Sequence, residues 1–203
     1  MIGGPPCQAF SRLRHMVEAN GYTVAENRIP EFERIVENAK PEWFLMENVP
    51  AAPMPICAGW VNDDVIVRDV WVGGSTSRER RFTFGRRARL NGAPLSAFHV
   101  ETLALHRPDP EQAILASGGR RETPVAIGGS GKRKRRESRL QNEDYLARAV
   151  RLSGLPDGFL DHAPFTVSGK IKVIGNGVPL PMGRAVANAV RRAIGMNEQF
   201  DVA

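Results

Sequence analysis

Apolar positions recur with helical spacing at three places in this chain and run unbroken at one. Phe32, Ile35, Val36 and Ala39 follow an i, i+3, i+4, i+7 order, which puts them on one face and predicts an amphipathic helix over residues 31–39. Pro30 suits its first turn and Lys40-Pro41 its end. Trp43-Phe44-Leu45-Met46 is continuously apolar; after a helix this predicts a strand covered on both faces in a parallel sheet. Residues 65–72 form a second β-rich run, broken by Gly73-Gly74-Ser75. Arg80-Arg81-Phe82-Thr83-Phe84 alternates as a further strand that Gly85 is expected to close, and the short gap predicts an antiparallel pair. Helical pattern resumes over 142–153, with Leu146, Ala149 and Val150 on one face, until Gly154, Pro156 and Gly158 stop it. Met182, Ala185, Val186, Ala189, Val190 and Ile194 make the clearest stripe and predict a helix over 181–194 ending at Gly195. Met1-Ile2 reads as the stub of a strand, residues 12–30 show no period, and no internal repeat is present.

Composition changes the picture in one region. The chain of 203 residues is 42% hydrophobic, enough for a core, and carries a formal net charge of +6. Residues 86–140 are rich in Pro, Gly, Ser and charge, with weak apolar periodicity, and are expected to form a small, poorly packed insert. Between Ser117 and Leu140, Arg120, Arg121, Lys132, Arg133, Lys134, Arg135, Arg136 and Arg139 face only Glu122 and Glu137 in number, a surplus equal to that of the whole chain. A basic segment of this kind favours a polyanionic partner and phosphate contacts. Arg12, Arg14 and His15 could also meet phosphate or lie on a solvated loop. Two cysteines, Cys7 and Cys57, make no disulfide framework and fit a reducing cytoplasm. No Cys/His cluster has zinc spacing, so no metal is expected; no run is long enough to span a membrane, and no signal peptide is read at the start.

Candidate chemistry begins at Gly3-Gly4-Pro5-Pro6-Cys7-Gln8-Ala9-Phe10-Ser11. Two prolines stiffen this backbone and two glycines allow close approach, so a thiol here can be aimed as a nucleophile from a strand end. A lone Cys is otherwise a small buried hydrophobe. Glu47-Asn48-Val49 follows the buried run, where a carboxyl group can act as general acid or base. Arg78 and Arg80, in Thr76-Ser77-Arg78-Glu79-Arg80, are expected on one side of a strand. Arg151-Leu152-Ser153-Gly154-Leu155-Pro156 and Ile174-Gly175-Asn176-Gly177-Val178-Pro179 complete five blocks in order.

These blocks resemble motifs IV, VI, VIII, IX and X of the DNA cytosine-5 methyltransferases. Thr76 stands where that family has Gln, and Ser75 where it usually has Pro. The resemblance implies an α/β fold, an incomplete Rossmann-like class I methyltransferase sheet with a small basic target-recognition-like insert. It divides the chain into a catalytic half (1–85), the insert (86–140) and C-terminal helices returning to the core (141–203). It implies double-stranded DNA as partner, S-adenosylmethionine as methyl donor, and a bacterial or phage-encoded cytoplasmic protein. By motif position, Cys7 would add to cytosine C6, Glu47 would hold N3, and Arg80 would contact the base. Pro6, Gln8, Ser11, Asn48 and Arg78 would support the base-binding site, and Asn176 and Val178 would lie by the cofactor.

The family's Phe-x-Gly-x-Gly cofactor loop and its acidic strand ends have no counterpart among these 203 residues. The expectation is therefore an enzyme whose amino-terminal cofactor half is missing from this chain. The alternatives are one subunit of a split methyltransferase, completed by a second polypeptide, and a catalytically inactive DNA-binding remnant.

Overall fold

The computed structural model describes residues 1–10, 14–87, 97–103 and 144–195. The basic segment, Ser11 and Arg12 lie outside them. The chain divides into two compact units. One comprises Met1–Val67, Glu79–Glu101 and Ala185–Ala203; the other comprises Arg68–Arg78 and Thr102–Arg184.

The first unit is built on a four-stranded sheet in the order β1-β2-β4-β3. Strand β1 (Ile2–Gly3) runs parallel to β2 (Trp43–Asn48), with Ile2 beside Leu45. Strand β4 (Glu79–Arg87) is antiparallel to β2, pairing Leu45 with Phe84 and Glu47 with Phe82. Strand β3 (Trp60–Arg68) flanks β4. The connection from β1 to β2 carries helices α1 (Arg14–Ala19) and α2 (Ile29–Ala39), as a parallel pair requires a crossover.

The continuous apolar run is covered on both faces, as expected: Phe44, Leu45 and Met46 are all buried. Phe44 and Met46 join Ile29, Phe32 and Val36 of α2 in one cluster with Ala52 and Cys57. Phe32 meets Phe44 edge-on at 5.6 Å. Full burial of a side chain such as Phe44 stabilises the sheet by about 2 kcal/mol. Phe84 stacks on Phe98 at 5.1 Å and meets Trp43 at 6.0 Å.

Several expectations need correction. The second β-rich run begins earlier, at Trp60, because its polar residues are paired across strands: Asp63 with Arg86, and Asp64 with Thr83 and Arg81. It also stops earlier: Asp69–Val72 form a 3-10 turn, not strand. Gly85 does not close β4 but lies within it, because the Phe44 ring fills the place a side chain there would take. Residues 14–19 are helical although no period announced them.

In the second unit, α3 (144–152) packs Ala149, Val150 and Leu152 against Leu160 and Ile174. It ends at Gly154 in the left-handed region, with the Leu155 amide donating to the Val150 carbonyl, a Schellman-type stop. Helix α4 (Val167–Asn176) is capped by the Thr166 hydroxyl, which accepts from the Gly169 amide at 3.2 Å. Gly175 and Asn176 are thus in the last turn of a helix. Helix α5 (Leu180–Ala193) runs across the boundary of the units; Met182, Val186, Ala189 and Val190 of its predicted stripe are buried, and Gly195 has the expected positive φ.

Candidate active site

Because β1 and β2 are parallel, the two segments that follow them leave the same end of the sheet, the end where open α/β sheets place their ligands. The first segment carries Cys7. Pro5 and Pro6 restrict the backbone before it, and a 3-10 turn, Gln8–Phe10, begins after it; the Phe10 amide donates to the Cys7 carbonyl at 3.0 Å. Cys7 is half-buried, while Pro6 and Gln8 are exposed.

The end of β2 holds this segment. Asn48 is 1% exposed; its Nδ2 donates to the Pro5 carbonyl at 3.2 Å, and its Oδ1 accepts from the Val49 amide at 2.8 Å. An amide does both jobs, which a carboxylate could not, since it has no donor. Gly4 lies over Glu47: a Cβ there would come within 3.3 Å of Glu47 Oε2. The carboxylate and the backbone that leads to the thiol are therefore neighbours.

Glu47 Oε1 accepts from Arg80 Nε at 2.7 Å, with the two side chains 25% and 16% exposed. The pair is partly shielded, so its attraction is stronger than that of a solvated surface pair. Arg80 Nη1 also donates to the Glu79 carbonyl at 2.8 Å, which fixes the fork. In the first unit Glu47 and Arg80 thus pair beside the backbone at Gly4, and Asn48 holds the same segment at Pro5, two residues before Cys7.

Arg78 is placed differently from Arg80. It precedes β4 rather than lying on it, is 6% exposed, and donates through Nη2 to the Gly175 carbonyl at 2.7 Å within the second unit. Sequence reasoning paired the two arginines on one strand face; the turn at Asp69–Val72 changes where Arg78 leaves the chain. Sequence reasoning also missed Asp69, fully buried, whose Oδ2 accepts from both the Thr76 amide (2.9 Å) and the Thr76 hydroxyl (2.7 Å). An Asp within an apolar run, seven residues before a Thr, was the available signal.

Asn176 and Val178 belong to the second unit. Asn176 and Gly177 are exposed at the end of α4, where Gly177 leaves with extended backbone. A short polar side chain beside open backbone fits the zwitterionic end of an amino-acid-like cofactor. Ser11, Arg120, Arg121, Lys132, Arg133, Lys134, Arg135 and Arg136 lie outside the described residues. Among the described residues no group of acidic, His and Cys side chains could hold a metal ion, and no helix is long and apolar enough to cross a membrane.

Residues 1–53 match the family model of the C-5 cytosine-specific DNA methylases. Over 51 residues the chain is 39% identical to the type II methyltransferase M.SacI of Streptomyces achromogenes; the match spans 24% of this chain and 13% of that protein. In fold, the chain is similar to the methyltransferase EhMeth of Entamoeba histolytica, with TM-score 0.52 at 12% identity, over 95% of this chain and 77% of that one. It is similar also to the Dnmt2 methyltransferase of S. pombe, with TM-score 0.54 at 14% identity, over 96% and 78%. The likeness in sequence is thus confined to the first 53 residues, and the likeness to these solved methyltransferases is one of a mixed α/β fold.

Proposed function

We propose that the chain carries the nucleophile side of a DNA cytosine-5 methyltransferase. The observation that carries this reading is the Glu47–Arg80 pair set against the backbone of the Cys7 segment. Cytosine C5 is too poor a nucleophile to react unaided. The Cys7 thiolate adds to C6, breaking the C5=C6 bond and placing electron density on C5. Glu47 holds N3 of the ring and stabilises the charge that develops as aromaticity is lost. Arg80 keeps the Glu47 carboxylate in place and lies at the base. Asn48 holds the Pro5 carbonyl so that the thiol does not drift. Loss of the C5 proton and departure of the thiolate restore the ring. S-adenosylmethionine, held in part by Asn176 and the backbone at Val178, would supply the methyl group.

The reacting atoms cannot be reached in a stacked duplex, so the base must be flipped out. The basic segment at 120–136 would bind phosphate, a salt-sensitive contribution. The residues that would complete the cofactor site are read as lying outside these 203, in a preceding segment or a second polypeptide. In favour of that reading, β1 lies at an edge of the sheet and its Ile2 is 71% exposed.

A cofactor-independent assay tests the core of the reading. Cytosine tritiated at C5 loses its label to water when a thiolate adds reversibly at C6 and C5 takes up and releases a proton. The purified chain is expected to release tritium from such DNA, and Cys7→Ser to release none; equal release by both would refute the role of Cys7. With only Asn176 and Val178 assigned to it, S-adenosylmethionine is expected to bind this chain no tighter than about 1 mM, or about −4 kcal/mol.

A further inference from the structure

We infer that Asp69 and Thr76 form a positioning clamp for the cofactor side of the site, acting through Arg78; the inference rests on the reading of Asn176 as a cofactor contact. All of the groups concerned lie in the second unit. Asp69 ties the link between β3 and β4 through both its backbone and its side chain. Its amide donates to the Arg78 carbonyl (2.9 Å), its carbonyl accepts from the Gly74 amide (2.9 Å), and its Oδ2 takes both Thr76 donors. Thr76 Oγ1 in turn lies 3.4 Å from the Arg78 amide. Asp69, Thr76 and Arg78 are all buried, so none of these bonds competes with water. Gly74 is required for the same reason: a Cβ there would collide with the Asp69 carboxylate.

The clamp fixes the backbone of Arg78 on both sides, and the guanidinium then holds the carbonyl of Gly175. The next residue is Asn176, in the last turn of α4. A carbonyl at a helix end otherwise turns toward water and lets the last turn fray. The arginine fixes that turn, and with it the direction in which Asn176 and Gly177 present themselves. This gives Thr76 a task at a position where the resembling family has Gln.

The test uses the full chain and amide-resolved NMR. Thr76→Val removes the hydroxyl at constant shape, Thr76→Ser restores it, and Asp69→Asn removes the charge should the valine variant fold poorly. In the wild type, millimolar S-adenosylmethionine is expected to shift the Asn176, Gly177 and Val178 amides. Thr76→Val is expected to weaken that affinity at least about tenfold and to speed hydrogen exchange at Gly177, while Thr76→Ser keeps both near wild type. Cofactor-independent tritium release should stay unchanged, which separates positioning from general destabilisation. Equal losses of affinity and of tritium release in Thr76→Val, or no loss of affinity, would overturn the inference. Absence of any cofactor-induced shift in the wild type overturns the reading of Asn176 and the clamp's role with it, whereas wild-type tritium release reports on Cys7 alone.

Discussion

The two segments that leave the same end of the sheet each carry one of the chain's two cysteines, and they treat it in opposite ways. The segment after β1 is short and lightly held: one amide from Asn48 reaches Pro5, and Cys7 is half-exposed. The segment after β2 is held throughout. Arg81 Nη1 donates to the Ala52 carbonyl, Asn62 Nδ2 to the Pro55 carbonyl at 2.7 Å, and the amides of Ile56 and Ala58 donate to Glu33 and Glu37 of α2. Cys57 is 5% exposed inside the α2 cluster. Burial, with the carboxylates of Glu33 and Glu37 adding to it, pushes its thiol up to about 11. A strand end in an α/β sheet is therefore not enough to make a thiol reactive. What differs is whether the segment leaves the thiol open or packs it, and the segment of Cys7 passes the arginine-held carboxylate of Glu47 at Gly4.

The largest effect should come from exchanging the fates of the two thiols. Cys7→Ser is expected to lower tritium release from C5-labelled DNA by more than about 10³-fold, since no other group supplies the nucleophile. Cys57→Ala should leave it within about twofold while lowering the urea midpoint. A comparable loss in both variants would break the contrast between the segments.

Next in size are the groups around Cys7. Glu47→Gln keeps a partner for Arg80 but no carboxylate, and should reduce tritium release by about 10²-fold or more, the usual scale of a positioned acid or base. Arg80→Lys keeps the charge but loses the fork that holds Glu47, and should fall between wild type and Glu47→Gln. Steady-state release rates on one labelled duplex rank all three. Asn48→Ala should act on both segments together, because it leaves the Pro5 carbonyl and Val49 amide unpaired. It should cost about 1–3 kcal/mol in urea unfolding, in addition to slowing release.

The Cys7 segment was legible as a constrained turn because proline and glycine act locally. Helix α5 was legible because Met182, Val186, Ala189 and Val190 of its stripe are buried; in α2 Phe32 and Val36 are buried, while Ile35 and Ala39 of the same predicted face are exposed. What escaped was decided by tertiary partners. The second β-rich run was read from residue 65, yet β3 already includes Asp63 and Asp64, because Arg86, Arg81 and Thr83 satisfy them. Val70-Trp71-Val72 read as strand, yet the bonds made by Asp69 and the approach of Gly74 turn the chain there. The glycines of Gly175 and Gly177 hid α4, which stands on the Thr166 cap and on buried Ile171 and Ile174. In the site, Glu47 and Arg80 were visible as residue types, but their direct pairing across β2 and β4 followed only from register.

The smallest expected effect sharpens the contrast from the side of Cys57. A thiol whose folded value lies near 11, against an ordinary 9.0, is protonated in the folded chain when the unfolded chain has already lost its proton. Between those two pH values the folded state binds more protons than the unfolded one, so stability falls as pH rises from about 9 to about 11 and is flat below that window. Urea midpoints measured across the window should therefore decline more in the wild type than in Cys57→Ala, which has no thiol to ionise. Iodoacetamide should also alkylate Cys7 well before Cys57, because the first thiol is partly open to solvent and the second is packed in the core. If Cys57 were labelled as fast as Cys7 in the folded chain, the second segment would be as open as the first, and the reason for assigning the nucleophile to Cys7 on geometry would be lost.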